Sequence, residues 1–166
     1  MKMPAIATSK SVRAQEALDA FSSNYLDYQY QFVEFFVDHL VDMSRVFRGD
    51  LQLMLILAIL GQVKIRAVRD AMQAGMPAAE AVLLTPGISA SRLTDITAIP
   101  RQTVRRKLMA LERRGWARQT TDQTWCLTAR EGGASVRSDL AETDARAMAR
   151  IARLFAELEG IVERPR

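Results

Sequence analysis

A mainly α-helical fold closed by one small β-hairpin is what this sequence predicts, and three observations carry the prediction. Glycine and proline are scarce, eight and five among 166 residues, which favours long helices over a turn-rich sheet. Apolar residues recur three and four apart through most of the chain, the period of a helix with a buried face. Two short stretches, 116–119 and 124–127, carry strand-like residues, and four polar residues separate them as in a small hairpin.

The elements follow in order. Residues 1–12 read as a loose arm. From 14 to 47, Leu18, Phe21, Tyr25, Tyr28, Phe32, Phe36, Leu40, Met43 and Phe47 trace one stripe, predicting a single long helix. Tyr30, Phe35 and Val41 broaden its apolar surface, so it needs partners on more than one side. Gly49 stops it and Asp50 caps the next helix, 51–73, which is apolar enough to be mostly buried and ends near Gly75, Met76 and Pro77. One or two helical turns fit 78–84, and Thr85, Pro86 and Gly87 make a turn.

A short helix then spans 89–97, with Leu93 and Ile96 apolar, and Ala98, Ile99 and Pro100 break it. A second helix, 101–114, is opened by Pro100 and closed by Gly115. The hairpin comes next. Thr128 with Glu131 forms a capping box for a further helix, interrupted by Gly132 and Gly133. The last helix runs 138–162, where Met148, Ile151, Phe155, Leu158 and Val162 form an a/d seam of little more than two heptads. Helix, tight turn, helix, hairpin, helix is the order of a winged helix-turn-helix. The expected architecture is therefore mainly α: a winged helix-turn-helix with long N- and C-terminal dimerisation helices and a small two-stranded β-hairpin wing. It divides into an N-terminal helical dimerisation region at 1–85, the winged core at 86–131 and a C-terminal dimerisation helix at 132–166.

Charge is concentrated in one place. Residues 101–118 hold seven of the 23 basic groups and one of the 19 acidic groups, a net of +6, which leaves −2 for the rest of the chain. A local positive field on a helix is the footprint of a nucleic-acid surface rather than of a generally basic protein. On helix 101–114, Val104, Leu108 and Leu111 share one side and are expected to dock on Leu93 and Ile96. Gln102, Arg105, Arg106, Met109 and Arg113 fall on the other side. A major groove admits one helix, and the N-terminal half of that helix reads base edges, Arg pairing with guanine and Gln with adenine. The candidate DNA-binding residues are thus Arg101, Gln102, Thr103, Arg105, Arg106, Arg113 and Arg118. The base-reading half offers Arg101, Gln102, Thr103, Arg105 and Arg106; Thr103 and the helix amides are also expected to hold phosphate, and Arg113, Arg114 and Arg118 to meet the backbone or shape the field. The hairpin tip is short and carries one charge, Asp122, so it adds little affinity.

The run LTDITAIPRQTVRRKLMALERRGWARQ at 93–119 resembles the DNA-binding segment of bacterial winged helix-turn-helix regulators, the MarR family in particular. Leu93, Ile99, Thr103, Val104, Leu108, Leu111, Glu112, Gly115, Leu127, Thr128 and Gly132 fall in that family's register. Ala98 stands where the family has a turn glycine and Pro100 where it has a capping serine. The wing is short and lacks the family's Asp-Arg pair. The resemblance implies a homodimer built from the outer helices, double-stranded DNA as partner, repression of transcription, and a small-molecule effector of unknown identity. Tyr25, Tyr28, Tyr30 and Phe32 are placed to line an effector pocket, while their plainer role is core and dimer interface. The alternative is a winged helix serving as a protein-interaction module of a larger complex, without sequence-specific DNA binding.

Other classes find little support. One His, one Cys and no Gly-rich phosphate loop leave no nucleophile–base pair, no ligand-spaced metal cluster and no expected cofactor. A single cysteine, Cys126, suits a reducing compartment and reads as structural, with redox sensing as the sharper alternative. The N-terminus lacks the apolar core of a signal peptide, and the apolar run 51–60 is too short to span a bilayer. A cytoplasmic, non-enzymatic protein with no membrane partner is expected.

Overall fold

The structure, a computed structural model, describes residues 5–130 and 133–164. It is mainly helical, with small two-stranded antiparallel sheets. In chain order the described elements are α1 (Ala5–Ser23), α2 (Tyr25–Phe47), α3 (Leu51–Gln73), α4 (Ala78–Ala81), α5 (Ala90–Thr97) and α6 (Arg101–Arg113). There follow β1 (Ala117–Gln119), β2 (Trp125–Leu127), β3 (Ala129–Arg130), β4 (Gly133–Ala134), α7 (Ser135–Asp139) and α8 (Ala141–Val162). They gather into two compact units, one of residues up to Asp42 together with those from Thr143 onward, the other from Met43 to Glu142.

In the first unit the expected loose arm is helical from Ala5, and the single long helix is two, parted at Asn24. The hydrogen-bond ladder nevertheless runs through: the Asn24 amide donates to the Ala20 carbonyl at 3.0 Å and the Tyr28 amide to the Asn24 carbonyl at 3.1 Å. The Asn24 side chain also donates to the Ala20 carbonyl at 2.9 Å, the local competition that makes Asn a weak helix former. The aromatic stripe stacks on itself, Phe21 on Tyr28 at 5.1 Å, Tyr28 on Phe32 at 6.0 Å and Phe32 on Phe36 at 5.9 Å between centroids. α2 and α8 are joined by a nearly buried Asp42, which accepts from Arg146 at 3.0 and 3.1 Å and from Arg150 at 2.6 Å. Those guanidinium bonds, Arg146 first, hold its carboxyl at about 2, against the opposing effect of burial. Met148, Ile151 and Phe155 of the α8 seam are exposed, as are Phe32, Val33, Phe36, Val37 and Val41 on α2.

The second unit holds a contiguous core. The inner face of α3 supplies Leu53, Ile56, Leu57 and Leu60; α5 supplies Leu93; α6 supplies Val104, Leu108 and Leu111. Trp116, Trp125 and Leu127 close it from the hairpin side, and Val136 of α7 joins it. This compact unit therefore takes in α3 and α4, which the sequence division placed in 1–85. Helix α3 is 23 residues, longer than its most apolar run, and by length and composition alone it is apolar enough to cross a bilayer. Its inner face is nonetheless the floor of this core.

The hairpin pairs Ala117 with Leu127, Arg118 with Cys126 and Gln119 with Trp125. A third segment adds to it, because Ile88 and Trp125 exchange backbone hydrogen bonds of 2.9 and 2.8 Å. The approach is so close that a Cβ on Gly87 would lie 1.9 Å from the Thr124 hydroxyl oxygen. Lys64 on α3 steadies the incoming loop by donating to the Val82 and Leu84 carbonyls.

Two expectations beyond the hairpin are corrected. The capping box at Thr128 does not start a helix: Ala129–Arg130 is extended and pairs with Gly133–Ala134, while Glu131 lies outside the described residues. Thr128 is held otherwise, its amide donating to the Trp116 carbonyl and its carbonyl accepting from Ser135, both at 3.0 Å. The final helix is likewise two, α7 and α8, with the break at Leu140.

Candidate nucleic-acid interface

Helix α6 is pinned by its inner face. Val104, Leu108 and Leu111 are fully buried, in register with the 3.6-residue turn. Gly115 ends the helix with a positive φ of 70°. The Trp116 amide reaches back to the Leu111 carbonyl at 3.0 Å and the Gly115 amide to Glu112 at 2.8 Å, a closed C-cap that satisfies two free carbonyls. At the other end Pro100 offers no side-chain cap, whereas Ser89 caps α5 by accepting from the Arg92 amide at 3.1 Å.

The turn between α5 and α6 uses three residues, 98–100. Ala98 adopts the left-handed conformation at φ 55°, its amide donating to the Thr94 carbonyl at 2.8 Å. Thr97 braces the turn, donating to the Leu93 carbonyl at 2.7 Å and accepting from the Ile99 amide at 3.2 Å. Leu93 and Ile99 are the residues buried against α6 in this region. Ile96, expected in that core, is 51% exposed. With only two turns of helix, Leu93 and the post-helical Ile99 fill the space, leaving Ile96 on the outer side.

The seven basic groups of 101–118 divide into two sets. Lys107 points inward and pairs with Asp50 at 2.6 Å. That carboxylate also caps α3, accepting from the Leu53 amide at 3.0 Å. Burial raises the Asp50 carboxyl, but the bonds from Lys107 and Leu53 outweigh it and hold it below the usual range. Arg114 lies over the Trp116 ring, 5.1 Å from its centroid, and Trp116 itself donates to Asp139 at 2.7 Å. Arg114 and the other five, Arg101, Arg105, Arg106, Arg113 and Arg118, are exposed and enter no ion pair among the described residues. Gln102 is exposed beside them and Thr103 is half-buried. Arg118 stands on β1 opposite Cys126.

The hairpin tip is self-contained. Asp122 accepts from the Thr120 and Thr124 hydroxyls, the latter at 3.0 Å, and these bonds, Thr120 first, keep its carboxyl below the usual range. Among the described residues, the carboxylates whose proton affinity moves, Asp42, Asp50 and Asp122, are all shifted toward the ionised form. Among the described residues no three His, Cys, Asp or Glu side chains gather as a metal site requires. Cys126 is buried, its side chain inside the unit. Of the four residues placed to line an effector pocket, Tyr30 borders an open groove along α2 with Leu26, Val33 and Val37, whereas Tyr25, Tyr28 and Phe32 are engaged with neighbouring rings.

The sequence alone does not show that Lys107 leaves the outward charge. Asp50 is 57 residues from Lys107, and only the fold brings them together. Comparison with protein families, characterised proteins and solved structures finds no match for this chain.

Proposed function

We propose that this chain is a homodimeric, sequence-specific DNA-binding transcription regulator of the winged helix-turn-helix, MarR-like type, acting as a repressor. One observation supports this reading above the rest: six arginines of the α6–β1 segment are exposed and, among the described residues, unpaired by carboxylates, while the inner face of α6 is locked into the core. Such a surface neutralises phosphate, while Arg105, Arg106 and Gln102 are spaced to meet base edges in a major groove. The uncapped amides at the start of α6 suit a phosphate oxygen. Exposed apolar side chains on α2 and α8 suit burial in a two-fold dimer, which sets two α6 helices in successive grooves roughly 34 Å apart.

Selection of bound sequences from random duplex DNA with the purified chain tests the reading. Enrichment of a pseudo-palindromic site is expected. Arg105→Ala or Arg106→Ala is expected to weaken binding to that site by about 1–3 kcal/mol, and log affinity falls steeply with log salt. Undiminished affinity in both variants, or a flat salt slope, favours instead a protein-interaction module.

A further inference from the structure

We infer that Met109 reads a thymine, packing its thioether against the 5-methyl group of a T·A pair beside the bases met by Arg105 or Arg106. The inference rests on α6 entering the groove as proposed above. Met109 is the one apolar residue among the exposed positions of α6, with 52% of its surface in water. The core does not need it, because Val104, Leu108 and Leu111 fill the inner face. With about half of its surface still in water, the methionine gains less from folding than a core residue does.

Its position gives it a use. Met109 follows Arg105 by four residues and Arg106 by three, and Arg113 follows Met109 by four, so all four share one side of the helix. The spacing from Arg105 is about 6 Å along the axis. An apolar tip therefore stands among three arginines, with the exposed Glu112, three residues on, as the one acidic group beside it. That charge pattern selects an anionic partner, and among anionic partners duplex DNA offers a lone apolar group in its major groove, the thymine methyl. The unbranched, polarisable methionine side chain adapts to such a target. An acidic protein surface would match the charge but would leave Met109 without a defined counterpart.

The test uses the full chain and the tightest duplex recovered from the random pool. Each thymine in that duplex is replaced in turn by deoxyuridine, which removes only the methyl group. The expected result is one thymine per half-site whose replacement weakens wild-type binding about three- to fivefold, the worth of one methyl group kept from water. Met109→Ala is expected to bind the parent duplex more weakly by a similar factor and to ignore the deoxyuridine replacement at that position. The exposure of Met109 leaves its unfolding transition in place, and the scan on the wild-type chain is decisive without the variant. Tolerance of deoxyuridine at every position, or an undiminished penalty in Met109→Ala, overturns the thymine contact while leaving the regulator reading intact. Recovery of no duplex above a scrambled control overturns both.

Discussion

Asp50 serves two elements with one carboxylate, and three substitutions separate its roles. One oxygen caps α3 through the Leu53 amide and the other holds Lys107 of α6. Loss of an N-cap costs about 1 kcal/mol. Stranding the Lys107 ammonium, whose side chain is 15% exposed, adds about 1–2 kcal/mol, the low end for a group so near solvent. Asp50→Ala loses both, about 2–3 kcal/mol in all. Asp50→Asn keeps a capping oxygen and loses about 1–2 kcal/mol. Lys107→Met keeps the aliphatic stem packed and leaves Asp50, 31% exposed, capping and hydrated, for less than about 1 kcal/mol. Urea unfolding at neutral pH, followed by tryptophan fluorescence, measures this unit directly, because Trp116 and Trp125 are both in its core. Equal losses in Asp50→Ala and Asp50→Asn would refute the shared role by showing that the cap contributes nothing. Lys107→Met should also leave duplex affinity nearly unchanged, in contrast to the outward arginines.

Ala98→Gly is expected to stabilise the second unit by about 0.5–1 kcal/mol: relief of a left-handed alanine, about 1–2 kcal/mol, exceeds the added unfolded-chain entropy of glycine. An unchanged urea midpoint would argue against strain at that turn. Gly87→Ala should cost about 1–3 kcal/mol, since Thr124 must shift, and should speed exchange of the Trp125 amide proton bonded to Ile88. Asp42 is held at about 2, below the ordinary 3.8, so the stability it contributes is full above pH 4 and is lost as pH falls toward 2. Thermal unfolding of Asp42→Asn should accordingly vary less with pH over roughly pH 5 to 2 than that of the wild type.

Elements bounded by strong punctuation were legible in the sequence. Pro100 and Gly115 bracket α6, and the apolar positions between them have one consistent period, so its inner face and limits follow from local pattern. The hairpin was legible for the same reason, with polar residues between two apolar pairs. Misreadings fall where local signals compete or where partners are distant. Thr128 and Glu131 have the spacing of a capping box, but backbone bonds to Trp116 and Ser135 claim the Thr128 backbone first. Ile96 has the right period for the core, yet a two-turn helix leaves no place for it beside Leu93 and Ile99. Residues 5–12 lack a clear stripe and are helical all the same, continuous with the stronger pattern that follows. Within the candidate interface, the outward positions followed from helix geometry, whereas the inward turn of Lys107 depends on a carboxylate far away in sequence.

Cys126 lies in β2 with 1% of its surface exposed, paired across to Arg118 and backed by α3. A thiol reagent reaches its sulfur only after the hairpin has come away from that helix, so labelling reports the opening of the β2 layer rather than intrinsic thiol chemistry. With fast reclosure, the observed modification rate divided by that of an unfolded thiol is the equilibrium constant for opening. The same gate applies to peroxide. A ligand that holds the hairpin closed therefore shields the sulfur from oxidation without touching it.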